Sequence, residues 1–151
     1  MMATEYFNEF IAAHLPSIHS SGITLTEENE SELVVSAPLA LNHNDHGNAF
    51  GGSIYNLALM ACWATLHIEC RRHIDKPNIV TRDGQIRYRH SCDQSPLVAR
   101  CRRPNPRQWE GFFAHYEKTG KTSISLTSKI MNGDDVAAYF DGVFVLLGDT
   151  P

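Results

Sequence analysis

The chain has no cysteines spaced as CxxC and no basic-then-apolar leader. It also has no uninterrupted apolar run of the roughly 18 residues that a membrane-spanning helix needs. Cys62, Cys70, Cys92 and Cys101 are therefore expected to be reduced thiols and not a disulfide framework. The first ten residues, MMATEYFNEF, are acidic and aromatic, which predicts no signal peptide and a cytoplasmic protein. Internal repeats, low-complexity runs and linkers are missing as well. With 151 residues (16.9 kDa), 42% hydrophobic and 20% charged, the expectation is one soluble domain spanning residues 1–151, large enough to bury a real core.

What is present is unevenly placed. The net charge is −4, yet ten of the thirteen basic residues lie between Arg71 and Arg107 (Arg71, Arg72, Lys76, Arg82, Arg87, Arg89, Arg100, Arg102, Arg103, Arg107), opposed only by Asp75, Asp83 and Asp93. Such a segment suits phosphates, because planar guanidinium forks match phosphate oxygens in pairs; it equally suits a solvated outer sheet face. The remainder of the chain is acidic and the basic stretch carries no interleaved aromatic platform. Nucleic acid is thus the poorer of the phosphate-bearing partners.

The chain is organised around Asn42 to Cys70, NHNDHGNAFGGSIYNLALMACWATLHIEC, where a polar loop with three glycines runs into the longest apolar segment. Gly51-Gly52 lets backbone approach closely, and Ser53 is placed to help satisfy the amides that a helix start leaves unpaired. From Ile54 to Ile68 the residues are apolar on nearly every side, broken by Asn56, Thr65 and His67. A helix apolar all round, too short to span a membrane, is a core helix wrapped by other elements.

In chain order, Thr4 caps a first helix whose Tyr6, Phe7, Phe10, Ile11, His14 and Leu15 share a stripe; Pro16 ends it, and the stripe places it against the outside of a sheet. Ile23 to Thr26 and Leu33 to Ala37 read as strands around the turn Glu27-Glu28-Asn29-Glu30. Ile79 to His90 alternates as a half-buried strand with Gly84 as a bulge candidate, and Leu97 to Arg102 is a short strand after Pro96. Asn105, Pro106 and Gln108 form a capping-box start for a helix bearing Trp109, Phe112, Phe113 and Tyr116, stopped by Gly120; that aromatic stripe is read as packing. Ser123 to Met131 and Val136 to Leu147 flank the hairpin turn at Asn132-Gly133-Asp134-Asp135. Only a curved antiparallel sheet is suited to cover the central helix, which gives an α+β class.

Asn44, Gly47, Phe50, Gly51 and Gly52 fit the N-x-x-G-x-x-H-G-G loop of hotdog-fold acyl thioesterases, with Phe50 where many members carry histidine. With Asn42, Ser53 and Trp63 added, the stretch resembles one branch, the thioesterase-like domain at the C-terminus of some bifunctional acetyltransferase-like proteins. The resemblance implies a hotdog fold: a curved antiparallel sheet wrapped around a long central helix, with an N-terminal helix and one more helix between strands. It further implies hydrolysis of acyl-CoA or acyl-carrier-protein thioesters at a subunit junction in a homodimer, often paired into tetramers. No separate cofactor is expected; coenzyme A enters only as part of the substrate.

Thioester hydrolysis needs a donor that polarises the carbonyl, a base for water and a channel for the acyl group. The Gly51 and Gly52 amides, backed by a helix dipole, are the candidate donors; alternatively the glycines merely permit tight packing. Asn44, Asp45 and His46 are the candidates for handling water. Asn42, Gly47, Phe50, Ser53 and Asn56 are the nearby substrate-binding candidates, with Asp83, Arg82, Arg87 and Arg89 from the strand. The central helix carries no acid before Glu69, whereas many hotdog thioesterases place a carboxylate about two turns in. That absence keeps open a second function, a non-catalytic acyl-thioester binder. His43 and His46, three apart around Asp45, do not amount to a zinc set without further ligands, and no metal is expected.

Overall fold

The computed structural model describes residues 1–148. Its centre is α3, Gly51–Arg71, which extends beyond the apolar run at both ends. From Ile54 to Cys70 every residue is buried except Tyr55, Asn56, Leu59, Trp63 and Glu69. Of the polar interruptions that are buried, Thr65 is satisfied and His67 is satisfied at one ring nitrogen only. The Thr65 hydroxyl donates to the Ala61 carbonyl one turn back (2.8 Å), and the His67 Nε2 shares a hydrogen bond with the Tyr6 hydroxyl (2.8 Å).

Around α3 curves one six-stranded sheet, ordered β1-β2-β4-β5-β6-β3, in which every pairing is antiparallel. The strands are β1 (Thr24–Glu28), β2 (Glu32–Ala37), β3 (Asn78–Tyr88), β4 (Leu97–Arg102), β5 (Lys121–Asn132) and β6 (Asp135–Leu147). Alternation puts Leu126, Ser128 and Ile130 of β5 and Phe140, Phe144 and Leu146 of β6 on the helix side, where all are buried. One of them ties sheet to helix, the buried Ser128 hydroxyl donating to the Ala58 carbonyl at 2.8 Å. The expected α+β arrangement of a helix wrapped by a curved sheet is therefore the architecture.

Locally encoded features come out as read. Helix α4 (Pro106–Thr119) starts on a reciprocal capping box between Asn105 and Gln108 and stops at Gly120 in the left-handed region (φ 77°). Trp109 and Phe112 are buried, so the aromatic stripe is packing. Between β5 and β6 the pair Asn132–Asp135 closes a two-residue turn with Gly133 at φ 64°.

Several expectations are corrected. Helix α1 (Ala3–His14) begins before Thr4, which lies within its first turn and caps nothing; no side chain caps this helix. Pro16 does not simply end it but opens a second, short helix, α2 (Pro16–Ser20), since a first helical position needs no amide donor. Nor does α1 lie outside the sheet. It packs on α3, with Phe7 and Phe10 against Trp63 and His67, and covers the sheet edge: the Asn8 amide donates to the Leu25 carbonyl (2.9 Å) and accepts from the Leu25 N–H (2.7 Å). Glu27 and Glu28 belong to β1, and the turn is held instead by Asn29 Oδ1, which accepts from the Ser31 and Glu32 amides.

Strand β3 is the opposite edge and mostly exposed, not half-buried. Its bulge falls between Thr81 and Asp83, and Gly84 pairs regularly with Gly142. The reason for glycine at 84 is the Tyr55 hydroxyl, which occupies the space where a Cβ would stand.

Candidate functional site

The loop before α3 is a miniature hairpin. Its rungs are the Phe50 N–H to the Asn42 carbonyl (2.7 Å), the isolated bridge His43–Ala49, and the Asn44 N–H to the Asn48 carbonyl (2.6 Å). Asn42 is buried, its amide donating to the Ser21 and Pro38 carbonyls at 2.8 Å each, and so pins the loop to the chain before it. Asn44 Oδ1 accepts from the His46 (2.9 Å) and Asn48 (3.1 Å) amides and shapes the tip, where Gly47 takes φ 82°. Both asparagines thus have structural work in this loop.

The base of the hairpin delivers the chain into α3. Phe50 is the residue before the helix, no side chain caps it, and the amides of Gly51, Gly52 and Ser53 head a helix of 21 residues. Each such amide is a donor without an intrahelical partner, and the aligned peptide dipoles place positive potential there. A Cβ on Gly52 would meet the Phe50 ring at 2.8 Å, so glycine is what allows the ring to lie over the helix start. Phe50 remains 57% exposed.

Two tyrosines that the sequence reading did not single out complete the surroundings. The Tyr88 hydroxyl donates to the Gly51 carbonyl at 2.8 Å, and the Tyr55 ring stands edge-on to Phe140 with its hydroxyl over Gly84. Desolvation, with Tyr55 nearby, pushes the Tyr88 phenol up, which keeps it a neutral donor. The signal available was the strand alternation: Gly84, Ile86 and Tyr88 share the face turned toward α3.

The base candidates are not all gathered here. Asp45 and His46 sit at the hairpin tip, 3.6 Å apart and 86% and 79% exposed. Three rungs of about 3.4 Å separate them from the helix start, so within one chain they stand off by about 10 Å. Ser53 and Asn56 lie on the helix itself, Asn56 exposed and Ser53 half-buried. Asp83 is next to Gly84 in β3 and therefore projects from the opposite sheet face, beside Gln85, Thr127 and Asp141. Glu69, the first acid of α3, is engaged with Arg72 (3.5 Å) and Arg103 (3.7 Å).

The basic stretch divides into two populations. Arg71, Arg72, Arg100 and Arg103 pair with Asp75, Glu28, Glu69 and Glu32, neutralising acids of β1, β2, α3 and the loop after it. Arg87 and Arg89 instead flank Tyr139 on the outer sheet face, Arg89 lying 6.0 Å from its ring centroid with Lys129 at the same distance on the neighbouring strand. Arg82, at the bulge, reaches only Asp83 at 4.0 Å and lines a groove beside α4. The three arginines singled out on the expected strand are thus split between two places, and Arg89 lies one residue past the end of β3. Among the described residues no cluster of three or more His, Cys, Asp or Glu forms a metal site, and no helix is long and apolar enough to cross a membrane.

The whole fold has close counterparts. A protein of unknown function from Chlorobaculum tepidum is 29% identical and superposes with a TM-score of 0.91, covering 97% of this chain and 94% of that one. A putative thioesterase from Shewanella oneidensis is 24% identical with a TM-score of 0.86 (96% and 97% covered). A thioesterase from Haemophilus influenzae shares 12% identity with a TM-score of 0.73 (98% and 92% covered). At these lower identities the likeness concerns the fold, which is the hotdog arrangement of thioesterases. Residues 4–148 match the family described as "Putative thioesterase (yiiD_Cterm)", and the chain belongs to that family.

Proposed function

We propose that this protein hydrolyses acyl thioesters of coenzyme A or of an acyl carrier protein, with the thioester carbonyl held at the start of α3. The observation that carries the reading is the uncapped row of amides at Gly51, Gly52 and Ser53, heading a 21-residue buried helix and flanked by Phe50 and Tyr88. Donors fixed before the reaction, aimed at the oxygen that gains charge, stabilise a tetrahedral oxyanion without reorganisation. The Phe50 and Tyr88 rings supply apolar surface for the acyl chain beside them.

Water is handled by Asp45 and His46, with Asn44 setting the loop tip, and the base reaches the carbonyl from a second copy of the chain. Support comes from the edge of the sheet. Strand β3 has eleven residues with one unpaired side, and Val80, Tyr88 and the adjacent Phe50 are exposed apolar groups. A long free edge with apolar neighbours is a template for pairing with another strand, and antiparallel pairing of two β3 edges would set two helix starts near one junction. A homodimer is the resulting assembly, with a tetramer as its doubling.

A second reading keeps the same pocket and drops the chemistry. The helix has no carboxylate before Glu69, which is committed to arginines, and this favours an acyl-thioester binder. Thiol release from a panel of acyl-CoAs of varied chain length decides between them. Hydrolysis that falls by on the order of 10² in Asp45→Asn or His46→Ala, with unchanged thermal unfolding, supports the assigned base. Activity surviving both substitutions transfers the base to Ser53, Asn56 or Asp83. Tight acyl-CoA binding without any thiol release leaves the binder.

A further inference from the structure

Away from the start of α3, a groove of about 710 Å³ runs between one face of α4 and the beginning of β5. Its charged side chains are Arg82 from β3, Arg107 from the first turn of α4 and Lys121 from β5, with His115 between them and no carboxylate in the lining. Among the described residues none of these three fixed cations has a carboxylate within 4.0 Å apart from the exposed Asp83 at the limit from Arg82. In a chain of net charge −4, where Arg71, Arg72, Arg100 and Arg103 pair with acids, the cations of this carboxylate-free groove are not matched by charge within the fold.

The backbone shows a second anomaly in the same place. Gly111 lies mid-helix in α4 on the groove side, and an added Cβ there would meet nothing within 4 Å. Glycine in a helix interior costs about 1 kcal/mol relative to alanine, and no close approach inside the protein requires it. Beneath lie Phe112 and Ile124, so the floor is apolar and the rim cationic.

We propose that this groove holds the phosphorylated nucleotide end of coenzyme A, a proposal that rests on the thioester reading above. Arg82, Arg107 and Lys121 come from β3, from the first turn of α4 and from the start of β5, so the cations are spread along the groove instead of converging on one phosphate. A ligand with a diphosphate and a separate ribose monophosphate suits that spacing, whereas the single phosphodiester of a carrier-protein phosphopantetheine arm does not. Along β3, Arg82 is six residues, about 20 Å, from Tyr88 beside the helix start, a distance that the pantetheine arm has to bridge.

The test uses the full chain and the probe 3′,5′-adenosine diphosphate, with affinity read by calorimetry at two salt concentrations. Saturable binding that weakens about tenfold or more in Arg107→Glu and in Lys121→Glu, and is abolished by Gly111→Trp, is the expected result. Lys118→Glu makes the same charge change on α4 outside the groove and is expected to leave the affinity within about twofold. The kinetic arm compares an acyl-CoA with the matching acyl-pantetheine. The groove variants should raise KM for the former only. Equal loss in Lys118→Glu, unchanged affinity in the groove variants, or tighter binding of a short oligonucleotide than of the nucleotide probe would overturn the proposal. Nucleotide binding in the groove without hydrolysis of any thioester would retain the site and overturn the hydrolase. Hydrolysis with an unaltered KM for acyl-CoA in the groove variants would do the reverse.

Discussion

His67 makes the stability of this fold depend on pH in a direction that can be worked out. The ring is 2% exposed, packed between Trp63 (4.8 Å), Phe10 (4.5 Å) and Tyr6, with Nε2 on the Tyr6 hydroxyl and Nδ1 without a partner. Burial, with the Arg71 charge adding to it, lowers the imidazole from 6.5 to about 4. The folded protein therefore refuses a proton that the unfolded chain accepts. The stabilisation is complete above about pH 6.5 and is lost as the pH falls from there toward 4, amounting to about 3 kcal/mol over that interval. Urea unfolding between pH 7 and pH 4, for the unmodified protein and for His67→Gln, isolates this contribution from the carboxylates that titrate in both. The stability difference between the two should shift by about 2–3 kcal/mol in favour of the variant as the pH drops. Parallel curves across the whole interval would refute a buried neutral imidazole at this position.

Other consequences follow from packing. Ala61 is fully buried on α3, so Ala61→Asp should cost several kcal/mol and yield insoluble or unfolded protein, judged by circular dichroism; a soluble variant with native melting would contradict the central-helix assignment. Gly142 sits between Phe140 and Phe144, whose rings would lie 2.7–2.9 Å from an added Cβ, and Gly142→Ala should lower stability by about 1–3 kcal/mol in a thermal melt. All four cysteines are buried, with Cys70 pushed up to about 12 and Cys62 raised by desolvation and its Cys101 neighbour. An aromatic disulfide reagent at pH 8 should therefore label none of them in the folded state and all four in denaturant; rapid native labelling of Cys62 or Cys70 would show that the core opens.

How far the sequence could be read depended on the reach of the interaction. The Asn105–Gln108 capping box, the Gly120 stop and the turn at Gly133 involve residues within four positions of each other, and each was legible. The loop and helix from Asn42 to Cys70 were legible because a single apolar segment this long admits few environments. Long-range matters were not. Whether the Phe7–Phe10 stripe meets the outer sheet face or α3 depends on Trp63 and His67, some 55 residues away along the chain. The basic stretch could not be sorted into paired and free arginines either, since the partners Glu28, Glu32 and Glu69 lie outside it. At the candidate site, the glycines and Phe50 were visible in the motif. Tyr55 and Tyr88 became visible only when β3 was laid against α3.

The two ends of α3 are built to opposite specifications, and this separates stability from chemistry along one helix. The C-terminal half is sealed by α1, by the His73–Phe113 contact below it and by the Arg103–Glu28–Glu69–Arg72 ion-pair group. The N-terminal turn has two glycines, no side-chain cap and an exposed ring over it. Local opening should therefore be graded along the helix. In hydrogen exchange followed by mass spectrometry, amides from Ala61 to Ile68 are expected to exchange only through global unfolding, while Gly51 to Ser53 exchange faster by orders of magnitude. A CoA thioester that binds with its carbonyl on these amides should slow the first turn through direct contact, while the distal half gains only the global stabilisation that any ligand of the native state confers. Full protection of Gly51 to Ser53 without ligand would mean that the donors are already occupied, and the helix start would then be a structural terminus and not a binding site.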